Sequence, residues 1–181
     1  MSVARKEYPG SGAAGKRLAA GSAPARNARS EGFPGKAISG ARRADPGMFT
    51  QLLSNAPLGG FAAVQAIREG YPATMLKAAS SFFGVTDARI QGIARVPAST
   101  ASRLEKNAAR IDAAATERVY RMGTVTRMAI GVFEDQAAAI DWMRQPNRAF
   151  DDTAPLDLMD TEPGAVAVRQ VLNAIATGGV V

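Results

Sequence analysis

The sequence predicts an all-α fold, a helix-turn-helix module followed by a second helical module, behind a low-complexity N-terminal tail. Three observations carry this. After Gly60 the apolar residues recur at helical spacing, and the breaks between runs fall at glycine, proline and capping residues. No segment alternates apolar and polar residues as a half-buried strand does. No self-similarity recurs at solenoid periods.

The tail is set apart by composition. Residues 1–47 carry nine Lys/Arg against three acids, with eight Gly, four Pro and eleven Ala and few large apolar side chains. Such a segment buries too little surface to offset the entropy of ordering it. The remaining 134 residues hold thirteen bases and thirteen acids, so the whole formal charge of +6 belongs to the tail. The basic balance is therefore no argument that the globular part binds nucleic acid, although the tail would add salt-sensitive attraction to phosphates. The expected division is a tail over 1–47, a helix-turn-helix module over 48–112 and a second helical module over 113–181.

The elements follow in order. Residues 61–69 form a short helix closed by Gly70 and the Tyr71-Pro72 step; residues 73–83 form a second, ended by Gly84. Asp87 caps a third running to Arg95. Pro97 forces a turn, and Ser99 caps a fourth that begins at Thr100. Residues 112–133 make a long helix whose stripe of Ala115, Val119, Met122, Ala129 and Phe133 reads as core. Asp135 caps the next helix, which is expected to bury Ala138 and Trp142 before Pro146-Asn147 stops it. An acidic loop then leads to Thr161 or Asp160 as N-cap of a last helix, striped by Ala165, Val168, Leu172 and Ile175 and ended by Gly178-Gly179. The uncharged stretch from Pro46 onward is no membrane span, because it holds Gln51, Ser54, Asn55, Pro57 and Gly59-Gly60.

Composition also limits the chemistry. With no Cys and no His, thiolate nucleophiles, imidazole bases and the usual zinc ligand sets are missing, so no catalytic residue, metal or cofactor is expected. The absence of cysteine fits a reducing compartment, and a cytoplasmic location is expected. Gly10-Ser11-Gly12-Ala13-Ala14-Gly15-Lys16 mimics both a dinucleotide fingerprint and a P-loop. No buried strand delivers the chain to it, and Arg17 stands where magnesium needs Ser or Thr. The eight acids between Glu134 and Glu162 lack the alternation and central glycine of a calcium loop.

Val132-Phe133-Glu134-Asp135, Ala139, Trp142, Pro146-Asn147, the run Pro155-Leu156-Asp157-Leu158-Met159-Asp160-Thr161-Glu162, then Gly164-Ala165 and Val168 closely resemble the Xre/MbcA/ParS antitoxin family. The likeness extends from about Gly60 to the C-terminus and is strongest from Phe133 onward. It implies a non-enzymatic antitoxin of a type II toxin–antitoxin pair. Its N-terminal module would be Xre-like, would dimerise and could bind promoter DNA. Its C-terminal module would cover a RES-domain toxin that consumes NAD or uses it for ADP-ribosylation. A helix-turn-helix regulator without a toxin partner is the alternative.

Two sets of site residues are expected. For DNA, the segment 90–110 fits helix, turn and recognition helix with Val96-Pro97-Ala98 as the turn, so that Ser99, Thr100, Ser102, Arg103 and Lys106 face phosphates and base edges. The same residues would equally serve as the ordinary exterior of a dimerisation module. For the toxin, the expected contacts are Asp157, Asp160, Glu162, Val166, Arg169, Leu172, Asn173, Val180 and Val181. Val166 and Val171 lie off the apolar stripe of the last helix, and the acids would complement a cationic dinucleotide site. Arg169, in an apolar neighbourhood, is expected to meet a toxin carboxylate or else solvent.

Overall fold

A computed structural model describes residues 45–55 and 59–179. Across them run α1 (Gly47–Asn55), α2 (Gly60–Glu69), α3 (Thr74–Phe83), α4 (Asp87–Ala94), α5 (Ala98–Lys106), α6 (Ala113–Phe133), α7 (Gln136–Arg144) and α8 (Glu162–Ala176), with 3-10 turns at Arg148–Phe150 and Asp157–Asp160. The all-α expectation holds: the described residues contain no strand, only two isolated antiparallel bridges, Pro72 with Arg110 and Asn147 with Thr153. The expected tail up to residue 44, including its glycine motif, lies outside the described residues.

The longest helix, α6, is the axis of the fold. Ala115, Val119, Met122 and Ala129 of the expected stripe are buried, Val125 joins them, and Phe133 at the end of the helix is only half-buried; α1, α2, α4, α7 and α8 all pack on α6. Asp112 starts α6 by accepting from the Ala115 N–H at 2.7 Å. At the same end Thr116, fully buried, donates its hydroxyl to the Asp112 carbonyl and accepts from the Tyr71 N–H. That pairing ties the loop between α2 and α3 to the start of α6. Gly70 makes the approach possible: its φ is +80°, and a Cβ there would stand 2.5 Å from the Ile111 carbonyl oxygen.

Helix α1 is an addition to the sequence reading, which placed no element there. Phe49, Leu52 and Leu53 are spaced 3 and 1 and all face inward. Phe49 meets Phe82 and Phe83 of α3 with ring centroids 5.0 and 5.5 Å apart. The stretch carries no charge to mark an outer face, which hid its periodicity.

Three local expectations are corrected. The N-cap of α4 is Thr86, whose hydroxyl accepts from the Arg89 N–H; Asp87 sits in the first turn, where its carboxylate accepts from Ser80. Helix α5 begins at Ala98, not Thr100, because extended Pro97 already supplies the carbonyl that accepts from the Ala101 N–H; Ser99 is inside the first turn and caps nothing. Helix α7 buries Ala139 and Met143 while Ala138 is exposed, a shift of one residue in phase. Trp142 is half-buried against Phe133, ring centroids 5.6 Å apart. Asp135 and Thr161 cap α7 and α8 as expected, accepting from the N–H groups of Ala138 and Gly164.

Candidate functional site

Two surfaces carry the sequence-predicted residues. The first is α4, its turn and α5. Ile90, Ile93, Ala94, Val96 and Ala101 are buried, which fixes the angle at which α5 leaves α4. Arg95 closes α4 in the left-handed region at φ 56°. On α5, Ser99, Ser102, Arg103 and Lys106 are exposed together on the outside, and Thr100 is half-buried at the edge of that group. The one acid of the helix, Glu105, is held by Lys77 of α3 at 2.7 Å. Among the described residues Arg103 and Lys106 have no ion-pair partner, so the outer face of α5 is cationic.

The second surface is built on α8 and the acidic turn before it, and here the structure redirects the sequence reading. Asp157 receives a two-pronged hydrogen bond from Arg89 of α4, at 2.7 Å from Nε and 2.8 Å from Nη2. Asp160 pairs with Arg95 at 3.0 Å, and Arg118 of α6 donates to the carbonyls of Asp160 and Ala94. Glu162 lies between Arg121 at 3.1 Å and Arg169 at 2.5 Å. Arg121, only 8% exposed, also pairs with Glu117 and donates to the Met159 carbonyl at 3.1 Å. These acids therefore clasp the segment to α4 and α6, and the expectation that they stand free to complement a partner's cations is corrected for Asp157, Asp160 and Glu162. Of the acids from Asp151 to Glu162, only Asp151 and Asp152 are exposed without an ion pair among the described residues.

Two further corrections concern α8. Leu172 is fully buried with Ala165 and Val168, so it holds the helix onto α6 and offers no surface to a partner. Arg169 is not isolated in an apolar setting; it pairs with Glu162 across two helical turns. Val166, 39% exposed, and Asn173 do face outward, and Gln170, which spacing of four from Val166 would have found, lies exposed between them. Val180 and Val181 lie outside the described residues.

Beside this face opens a cavity of about 370 Å³ lined by Glu117, Tyr120, Arg121, Thr124, Glu162 and Arg169. The sequence reading missed Glu117, Tyr120 and Thr124. Their spacing of 3 and 4 along α6 puts them on one side, but nothing in the sequence says that α8 leaves that side partly open. Burial pushes the Tyr120 phenol up, with Arg127 acting in the opposite sense, so Tyr120 remains a neutral hydrogen-bonding group at ordinary pH.

Two family descriptions match consecutive parts of the chain. Residues 62–122 match the Antitoxin Xre-like helix-turn-helix domain, and residues 128–178 match the Antitoxin Xre/MbcA/ParS C-terminal toxin-binding domain. Among curated proteins, the antitoxin Xre of Yersinia enterocolitica is 24% identical over 116 residues, covering 64% of this chain and 78% of that protein. The antitoxin Xre of Photorhabdus laumondii is 26% identical over 113 residues, covering 62% and 76%. The antitoxin Xre of Pseudomonas putida is 30% identical over 63 residues, and that match spans only 40% of its length and 35% of this chain. An all-helical fold with a helix-turn-helix domain and a toxin-binding domain in this order defines an antitoxin class. The chain belongs to the Xre/MbcA/ParS antitoxin family. No helix among the described residues is long and apolar enough to cross a membrane.

Proposed function

We propose that this chain neutralises a RES-domain toxin that consumes NAD or transfers ADP-ribose from it, by laying the outer face of α8 and the chain end over the toxin's NAD site. It acts in the cytoplasm as a homodimer without catalysis of its own, and the cationic face of α5 binds the promoter of its operon. The observation that carries the reading is the outer face of α8. Val166, Arg169, Gln170 and Asn173 lie within two turns of one another beside the cavity at Tyr120, while Ala165, Val168 and Leu172 hold the helix from behind. A rigid helix with an exposed aliphatic side chain amid hydrogen-bonding groups is a surface that buries area against a partner without first reorganising.

The test substitutes the face and spares the core. Deletion of α8 would be uninformative, because Val168 and Leu172 contribute about 1.5–3 kcal/mol each to folding. Val166→Asp together with Asn173→Asp should leave the helical circular dichroism unchanged, weaken toxin binding on the order of tenfold or more, and abolish protection of cellular NAD when toxin is co-expressed. Undiminished binding and protection by that variant would overturn the assigned face.

A further inference from the structure

The cavity beside α8 has a lining whose charges cancel. Glu117 takes a two-pronged hydrogen bond from Arg121, and Glu162 lies between Arg121 and Arg169, at 3.1 and 2.5 Å. Two carboxylates thus meet two guanidiniums, and all four carboxylate oxygens face an arginine nitrogen. Arg121, its side chain only 9% exposed, has its remaining amino group on the Met159 carbonyl at 3.1 Å. An ion entering this space would have to break one of these pairs and strand a charge in a half-buried place. Hydrogen-bonding capacity remains all the same. Thr124 donates to the Arg121 carbonyl at 2.9 Å, which leaves its oxygen able to accept. Arg169 reaches Glu162 through Nη2 alone, so among the described residues its other N–H groups have no partner. Tyr120 adds an aromatic ring to the wall.

We propose that the toxin inserts one uncharged side chain bearing both a donor and an acceptor, a carboxamide or a phenol, into this cavity, where it accepts from Arg169 and donates to Thr124. The size agrees. About 370 Å³ is at the low end of small-molecule pockets, roughly 300–1,000 Å³, and suits a single inserted side chain. The place agrees as well, since Arg169 belongs both to the lining and to the outer face of α8 with Val166 and Gln170, so a partner lying on that face reaches the cavity without a gap. Ion pairs already hold the lining in shape, and a preformed pocket that takes one anchoring side chain is where binding energy concentrates. The cavity also crosses the boundary between the modules. Glu117, Tyr120 and Arg121 fall in the helix-turn-helix domain, and Glu162 and Arg169 in the toxin-binding domain. On this reading the toxin contacts both domains through one pocket.

The proposal rests on the placing of the toxin on α8 in the proposed function, and the experiment separates the two. Titration calorimetry of the full chain with the RES-domain toxin is the measurement. Thr124→Phe fills the cavity from α6 and leaves the outer face of α8 intact; it should weaken binding on the order of tenfold or more with unchanged helical circular dichroism. Thr124→Val keeps the shape and removes the acceptor, which should weaken binding by about threefold to tenfold. Glu117→Gln removes a charge but still offers Arg121 an oxygen; an uncharged occupant predicts a change below about threefold at low and high salt alike. A large loss with Glu117→Gln would reveal a cationic occupant and a large gain an anionic one, and either overturns the proposal. Undiminished binding by both Thr124 variants, while Val166→Asp with Asn173→Asp still weakens it, overturns the cavity and leaves the proposed function standing. Undiminished binding by all of them overturns both.

Discussion

Tyr71 shows how much a single side chain can carry. Its backbone is fully used, donating to Thr116 and accepting from the Ile111 N–H, yet its buried hydroxyl has no hydrogen-bond partner among the described residues. Burial, with a smaller contribution from Tyr120, pushes the phenol up to about 12 from 10.0. The folded state thus holds this proton more tightly than the unfolded chain does. The resulting stability is complete below pH 10 and is lost as pH rises from 10 through 12. Tyr71→Phe should change stability at pH 7 by less than about 1 kcal/mol, since an unpaired hydroxyl contributes little. It should also flatten the decline between pH 10 and 12. Urea denaturation at both pH values checks this, and a large destabilisation at pH 7 would mean that the hydroxyl is bonded after all. At this scale the sequence was least legible. Charge and spacing singled out Asp157, Asp160 and Glu162, but their partners Arg89, Arg95 and Arg121 lie 41 to 68 positions away in the chain. No local pattern records which distant arginine an acid will meet.

Among the elements, the turn entering α8 is the most tightly specified. Thr161 caps the helix, Glu162 and Pro163 occupy its first turn, and Gly164 lies against the Leu158 backbone. A Cβ at Gly164 would collide with the Leu158 carbonyl oxygen and crowd the Leu158 and Thr161 side chains. Backbone cannot yield as a flexible side chain does. Gly164→Ala should therefore destabilise the protein by about 2–4 kcal/mol, whereas removing only the cap with Thr161→Ala should cost about 1 kcal/mol. Comparison of the two denaturation midpoints is the measurement; equal small effects would refute the close approach. Most helices were legible because their ends are chemically marked: Gly84 ends α3 in the left-handed region, and Asp112, Asp135 and Thr161 each accept from an N–H three residues on. Helix α1 was not, having no charge to mark an outer face, and the phase of α7 slipped by one residue because Ala138 and Ala139 are indistinguishable by type.

For the whole molecule, the cationic face of α5 predicts the response to DNA. Arg103→Ala with Lys106→Ala should weaken binding to a promoter fragment by about tenfold or more and lower its salt slope by about two, one for each phosphate that α5 then leaves unneutralised. Fluorescence anisotropy at several salt concentrations measures both, and an unchanged slope would show that α5 does not face phosphate. The order of the two modules was legible in the sequence, but their mutual dependence was not. The acidic turn before α8 is clasped to α4 of the helix-turn-helix, and α8 itself closes the core on α6. The clasp has a genetic consequence. A stop codon or frameshift before Leu172 would strip buried side chains from α8, which packs on the Asp157–Asp160 turn that is clasped to α4, so on the proposed function alleles truncated in this stretch should lose promoter binding together with toxin neutralisation. Separating those two phenotypes would require missense alleles on the outer faces of α5 and α8.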